Sequence, residues 1–234
     1  GLAAGRRTLE RGTHCSIAAD LATAAFRYLL TGHSVEAKLY VALWDLYAES
    51  AVADPRKFGG PWGFDSDFRS SDVVPGWDAI EDDPALTDEE RLRTVKHLGR
   101  WLAEAVVSSC AGAAGSAHVP HNHQTFPALG TLHAGLYFSQ GFELSEGPFW
   151  LKLADSIFRR QATYYKPYED CNGYQWLTNG HLFSYAMARP DFTIFENGNG
   201  RRIIDFLIGN MDNLAIQVPY GDTGSWQCWN SELV

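Results

Sequence analysis

The chain has no basic excess. Of its 234 residues, 19 are Lys or Arg and 28 are Asp or Glu, so the formal net charge is −9. Nucleic-acid binding calls for a basic stripe, and this composition argues against that class of partner. It also requires any site for an anionic ligand to be locally positive. Long apolar runs are missing too: none approaches the roughly 20 residues of a membrane span. The opening Gly1-Leu2-Ala3-Ala4-Gly5-Arg6-Arg7 is too short and polar for a secretory leader, and the expectation is a mature or trimmed chain. Cysteine is sparse. Cys15, Cys110, Cys171 and Cys228 lie far apart with no Cys-x-x-Cys, which argues against a thiolate zinc site. Their even number leaves disulfides and free buried thiols equally open. No stretch shows the two-residue period of a strand.

What is present is ordinary globular material, 45% hydrophobic and 20% charged, with enough length for a substantial core. Aromatic residues are plentiful, with eight Trp and ten Tyr. They serve either core packing or a cleft that stacks sugar rings.

Helical periodicity dominates. Residues 15–31 carry Ile17, Leu21, Ala24, Ala25, Tyr28 and Leu29 on one face, with Gly32 as a left-handed C-terminal cap. Residues 34–50 follow, with Ser34 as cap and Leu39, Leu43, Leu46 and Tyr47 inward. Residues 51–86 read as a long structured loop rich in breakers and aromatics, and Trp62, Phe64 and Trp77 are candidates to line a cleft. Thr87-Asp88-Glu89-Glu90 is a capping box. The helix it starts carries Leu92, Val95, Leu98, Leu102, Ala105 and Val106 and is expected to end near Ser109, with a small-residue loop over 111–117. Further helices are expected over 126–139 (ended by Gly141), 148–164, 177–188 and 200–213, the last with Ile203, Ile204, Leu207, Ile208 and Met211 inward. About seven helices in hairpin pairs suggest an all-α architecture, an α/α solenoid or toroid forming one domain over 1–234.

The segment Pro120-His121-Asn122-His123-Gln124-Thr125-Phe126-Pro127 puts an amide, imidazoles and a hydroxyl in front of the apolar run Leu129–Phe138. Thr125 can cap that helix, and Pro127 is tolerated in a first turn. Asn122 and His123 then sit at the positive end of a helix dipole. A neutral Asn can bind a carboxylate and favour its enol-like form, a neutral His can abstract the adjacent proton, and a Tyr can protonate a leaving oxygen.

Several segments together resemble the heparinase II/III-like and alginate-lyase-like polysaccharide lyases. The Asn-His run Asn122–Gly130 with Ala134-Gly135-Leu136-Tyr137-Phe138 is the first. Trp77-Asp78-Ala79-Ile80 and Leu86–Arg91 look like the helix start before it. Asn172-Gly173-Tyr174-Gln175 resembles the family's Asp-Gly-aromatic-Gln loop, and Pro219-Tyr220-Gly221-Asp222-Thr223 its Pro-aromatic-Gly-Asp-Ser turn. The resemblance covers roughly residues 75–225 and implies an (α/α) toroid, an incomplete α/α barrel, that performs β-elimination on a uronate polysaccharide in a secreted or periplasmic setting. It implies that Asn122 neutralises the carboxylate and that His123 assists or acts as base. The family's Tyr directly precedes a His; here the match is Asn179-Gly180-His181, so His181 takes the proton role, or Tyr174 or Tyr185 supplies the hydroxyl. His121, Gln124, Gln175, Trp176 and Asn179, with Trp62, Trp77 and Trp226, are the implied substrate contacts. The family's second-half catalytic His and its C-terminal β-sandwich have no counterpart, and the chain is expected to continue beyond Val234. No cofactor is implied; the expected partner is an acidic poly- or oligosaccharide, with neither nucleic acid nor membrane.

Other chemistries stay open. His118, His121 and His123 could bind a divalent metal, although Pro120 interrupts them and the spacing is not helical. Glu169-Asp170 and Asp222 could serve glycoside hydrolysis. A non-catalytic glycan-binding domain is the alternative of a different class. His133, on the apolar run, reads as a hydrogen-bonded core histidine.

Overall fold

The computed structural model describes residues 1–11, 15–54, 68–116, 118–166, 171–213, 218 and 221. Among them the secondary structure is helical, with no β-strand. The first four helices are α1 (Leu2–Arg11), α2 (Cys15–Thr31), α3 (Ser34–Ala53) and α4 (Ser70–Asp78). Next come α5 (Asp88–Trp101), a π-helical segment (Leu102–Val106) and α6 (Val107–Ala114). Then follow α7 (Asn122–Gly141), α8 (Gly147–Gln161), α9 (Asn172–Ala188), α10 (Thr193–Glu196) and α11 (Asn199–Gly209).

Local chemistry sets the ends. Gly32 adopts φ 65°, and its N–H donates to the Tyr28 carbonyl at 2.7 Å, closing α2 as expected. Thr87 and Glu90 form the reciprocal capping box of α5: the Glu90 N–H donates to Thr87 Oγ1 at 3.2 Å, and the Thr87 N–H donates to Glu90 Oε2 at 2.8 Å. The same Glu90 carboxylate binds Lys38 at 2.7 Å on α3, which holds its pKa down to about 2. Arg93 adds a two-pronged bond from α5 to Asp45 of α3.

Other expected ends move. The N-cap of α3 is His33; Ser34 instead donates to the Asp83 carboxylate at 2.9 Å. The helix expected to stop near Ser109 runs on through the π-helical segment to Ala114, so residues 111–114 are helix rather than loop. α9 starts at Asn172, five residues before the expected start, and takes in Tyr174 to Trp176. Gly141 is the last residue of α7, and the left-handed residue beyond it is Glu143, at φ 49°. Leu29, Leu92 and Ile208, expected inward, are exposed because neighbouring positions on their helices already fill the core.

Part of the expected 51–86 loop is helix α4, although it contains Pro75. A proline lacks the N–H that would bond the carbonyl four residues back, here that of Ser71. His133 of α7 replaces it, with Nδ1 2.8 Å from the Ser71 oxygen. α4 therefore depends on α7 for a bond that it cannot make itself.

Two buried clusters result. One is built chiefly from α2 to α5, with Trp44, Trp77 and Trp101 among its largest side chains; the other comes from α6 to α11. α7 borders both, contributing Ala134 and Phe138 to the first and Ala128, Leu129 and Leu132 to the second. It packs against α4, α6, α8 and α9. The helix is thus held between the two clusters.

Candidate functional site

α7 begins four residues earlier than expected. Its N-cap is His121, with Asn122 and His123 as the first two helical residues. Gln124 Oε1 accepts the His121 N–H at 3.3 Å, so Gln124 supports the cap. Thr125 is not the cap, and Pro127 falls in the second turn, where it is fully enclosed. The Asn-His pair therefore lies at the dipole's positive end, within the first turn where that field acts.

Thr125 links this end to α9. Its hydroxyl donates to the Asn122 carbonyl at 3.2 Å and lies 2.9 Å from His181 Nδ1. Thr125 has no exposed surface, Asn122 retains 1% exposure and His181 9%. Phe126 meets the His181 ring edge-on with centroids 4.3 Å apart. Phe68 packs on Phe126 and also meets His123 edge-on at 5.2 Å, and His123 in turn contacts His121 at 5.8 Å. Two far-separated stretches of sequence, 121–126 and 181, so form one cluster with Phe68 against it.

Burial disfavours the charged form of both inner histidines. Burial pushes the His181 pKa down to about 4, and nearby His133 lowers it further. Burial also depresses His133, partly offset by its bond to the Ser71 carbonyl. His133 is the hydrogen-bonded core histidine that its position on the apolar run suggested. His123 is exposed, so the two histidines singled out from the sequence have different environments. His118 is exposed as well, and among the described residues no group of three His, Cys, Asp or Glu side chains is placed to hold a metal ion.

The candidate tyrosines separate clearly. Tyr174 lies seven residues before His181 on α9, a spacing that puts both on one face about 10 Å apart along the axis. Tyr174 is half-buried. Tyr185 is buried against Phe158, its ring stacked at 4.7 Å. Its hydroxyl lies 3.1 Å from an Asp155 carboxylate oxygen and 3.3 Å from one of Asp191, with one proton shared between the two acceptors, and Arg189 and Arg159 pair with those same carboxylates. That hydroxyl is held in a structural ion-pair network between α8 and the end of α9.

The tryptophans expected in a sugar cleft need correction where they are described. Trp77 has no exposed surface: it stacks on Tyr40 and donates Nε1–H to the Tyr137 hydroxyl at 2.8 Å. Tyr137 donates onward to Glu81. Trp176 belongs to the second core cluster. Both indoles are spent on core packing, so neither presents a face to a ligand. Gln175 and Asn179 are also buried, at 2% and 4% exposure. Trp62 and Trp226, the Glu169-Asp170 pair and Asp222 lie outside the described residues.

Three contributions escaped the sequence reading. The Thr125 link needs the α7–α9 contact to be seen, and Phe68 lay in an apparently irregular segment. The third is Arg160 of α8, which donates to the carbonyls of Ala113, Ala114 and Ser116. It thereby caps the C-terminus of α6 just before the chain enters the site. Cys110 and Cys171 are buried free thiols. No protein-family model matches the chain, and comparison with characterised proteins and with solved structures gives no match.

Proposed function

We propose that this chain is the α/α-toroid domain of a polysaccharide lyase that cleaves a uronate-containing glycan by β-elimination in a secreted or periplasmic setting. The observation that carries the reading is that Asn122 and His123 open α7 while Thr125, in the same turn, joins the Asn122 main-chain carbonyl to His181 of α9. The helix dipole and the Asn122 amide suit a carboxylate even on a chain of net charge −9. The resemblance of segments 122–138 and 172–175 to lyase motifs supports the same choice of chemistry.

In this reading the Asn122 amide binds the uronate carboxylate and stabilises the enol-like charge that develops there. His181, neutral at physiological pH, takes the proton from the carbon that bears the carboxylate. The electron pair forms the new carbon–carbon double bond, and the glycosidic oxygen leaves and takes a proton from Tyr174. His123, at the exposed edge, assists and contacts the sugar together with His121. Asn122 is nearly enclosed, so a substrate carboxylate reaches it only after neighbouring chain moves aside. A negative carboxylate beside His181 raises the imidazole pKa from its depressed value, which strengthens the base once substrate is bound. No metal is needed for these steps.

The test is incubation with a panel of uronate polysaccharides while following the ultraviolet absorbance of the conjugated, unsaturated product. The reading requires that absorbance to rise. New reducing ends without it would indicate a glycoside hydrolase, and binding without cleavage would indicate a glycan-binding domain; either outcome rejects the lyase reading.

A further inference from the structure

The hydroxyl of Thr125 faces two partners at once, the Asn122 carbonyl and His181 Nδ1. A threonine hydroxyl has one proton to give. Oγ1 gives it to the Asn122 carbonyl, which can only accept. With its proton on that carbonyl, the same oxygen is the acceptor toward His181 Nδ1 at 2.9 Å, an arrangement in which Nδ1 donates. A neutral imidazole has a single N–H, and Nε2 is left with the lone pair. Thr125 is fully enclosed, so water does not compete for its hydroxyl. His133 follows the same logic independently: its Nδ1 faces the Ser71 carbonyl at 2.8 Å and must donate to it.

We propose that Thr125 is a positioning residue that locks His181 in the Nδ1–H tautomer and so makes Nε2 its proton-accepting nitrogen. As a role in catalysis this rests on the lyase reading; as a statement about the tautomer it does not. Besides Thr125, the described groups facing His181 are Phe126, which offers only a ring edge or face, and the neutral His133. Thr125 therefore provides the hydrogen bond that distinguishes the two nitrogens. Free imidazole side chains in water favour the opposite tautomer, so removing the hydroxyl releases a preference that the fold suppresses.

The experiment is long-range proton–nitrogen NMR on the full chain labelled with ¹⁵N-histidine, with His181 assigned by its loss in His181→Gln. The wild type should show a protonated Nδ1 and an unprotonated Nε2 at neutral pH. Thr125→Val, which keeps the shape and removes the hydroxyl, should shift His181 toward Nε2–H, and Thr125→Ser should restore the original pattern. A wild-type His181 carrying its hydrogen on Nε2 overturns the proposal, and this result is decisive even if Thr125→Val does not fold. An unchanged tautomer in Thr125→Val also overturns it. If the glycan panel yields unsaturated product, Thr125→Val should lose about 10²-fold in kcat at similar KM, with recovery in Thr125→Ser. If the panel yields none while the tautomer pattern is as expected, the lyase reading fails and the positioning role stands.

Discussion

Mild acid should destabilise the protein through His181 in particular. The folded pKa of this imidazole is about 4, against an ordinary 6.5, because burial penalises its charged form and His133 lies close by. The unfolded chain binds a proton near pH 6.5, whereas the folded chain resists until about 4. The stability contributed by the neutral buried ring is therefore intact above the unfolded pKa and lost as pH falls through this window. At about pH 5 the loss amounts to about 2 kcal/mol, and it approaches about 3 kcal/mol once both pKa values are passed. His133 and His97 are also depressed by burial and add in the same direction. Glu81 acts the other way, since burial raises its carboxyl. Glu90, held at about 2 chiefly by Lys38, contributes only at lower pH. His97, Glu81 and Glu90 are common to the wild type and a His181→Gln variant and cancel in a comparison of slopes, which then reads His181 together with its repulsion from His133. Urea unfolding between about pH 7 and pH 5 should show the variant losing about 2 kcal/mol less than the wild type. Equal losses would refute the assignment of His181 as a buried neutral imidazole.

Four further outcomes follow from the packing and the site. Gly130→Ala would place its Cβ 3.0 Å from Val106 Cγ1 and 3.2 Å from the Ser70 oxygen, so a melt should show about 1–3 kcal/mol of destabilisation; an unchanged Tm would contradict the close approach of α7 to α4. Cys110 is buried, with its thiol pushed up to about 11, and mass-spectrometric mapping after thiol labelling of the native protein should find it unmodified. Tyr174→Phe should abolish product formation. Tyr185→Phe should leave the catalytic rate near wild type while lowering stability through the Asp155–Asp191 network, and the reverse pattern would exchange their roles.

The sequence was most legible where one local rule decided the outcome. Gly32 ends α2 because a left-handed residue is needed there, and Thr87 with Glu90 starts α5 because both ends of a capping box lie within four residues. It was least legible where a distant element supplied the missing piece. Pro75-Gly76 reads as a breaker, yet α4 survives because His133 bonds the carbonyl that the proline leaves over. Gly76 serves there as a contact point, since a Cβ on it would lie 2.8 Å from that of Ala25.

The site divides in the same manner. Asn122 and His123 were recognisable because an amide and an imidazole precede an apolar run, and the structure places both in the first turn. Only the family resemblance brings His181 near them; the physical link, the Thr125 hydroxyl, reads from the sequence as a helix cap. Trp77 and Trp176 were assigned to a cleft because aromatic side chains serve cores and sugar sites alike. Nothing in the order of residues shows which face of an indole will be covered.

In the proposed lyase reaction Asn122 binds the carboxylate whose adjacent proton is removed. The direct measurement is the initial rate of unsaturated-product formation by wild type and Asn122→Ala, at equal concentrations of folded protein, on a uronate polysaccharide that the wild type cleaves. The expected result is a loss on the order of 10²–10³-fold in kcat, the cost of removing one donor to a developing negative charge. An Asn122→Ala variant that retains the full wild-type rate would rule out that role for Asn122.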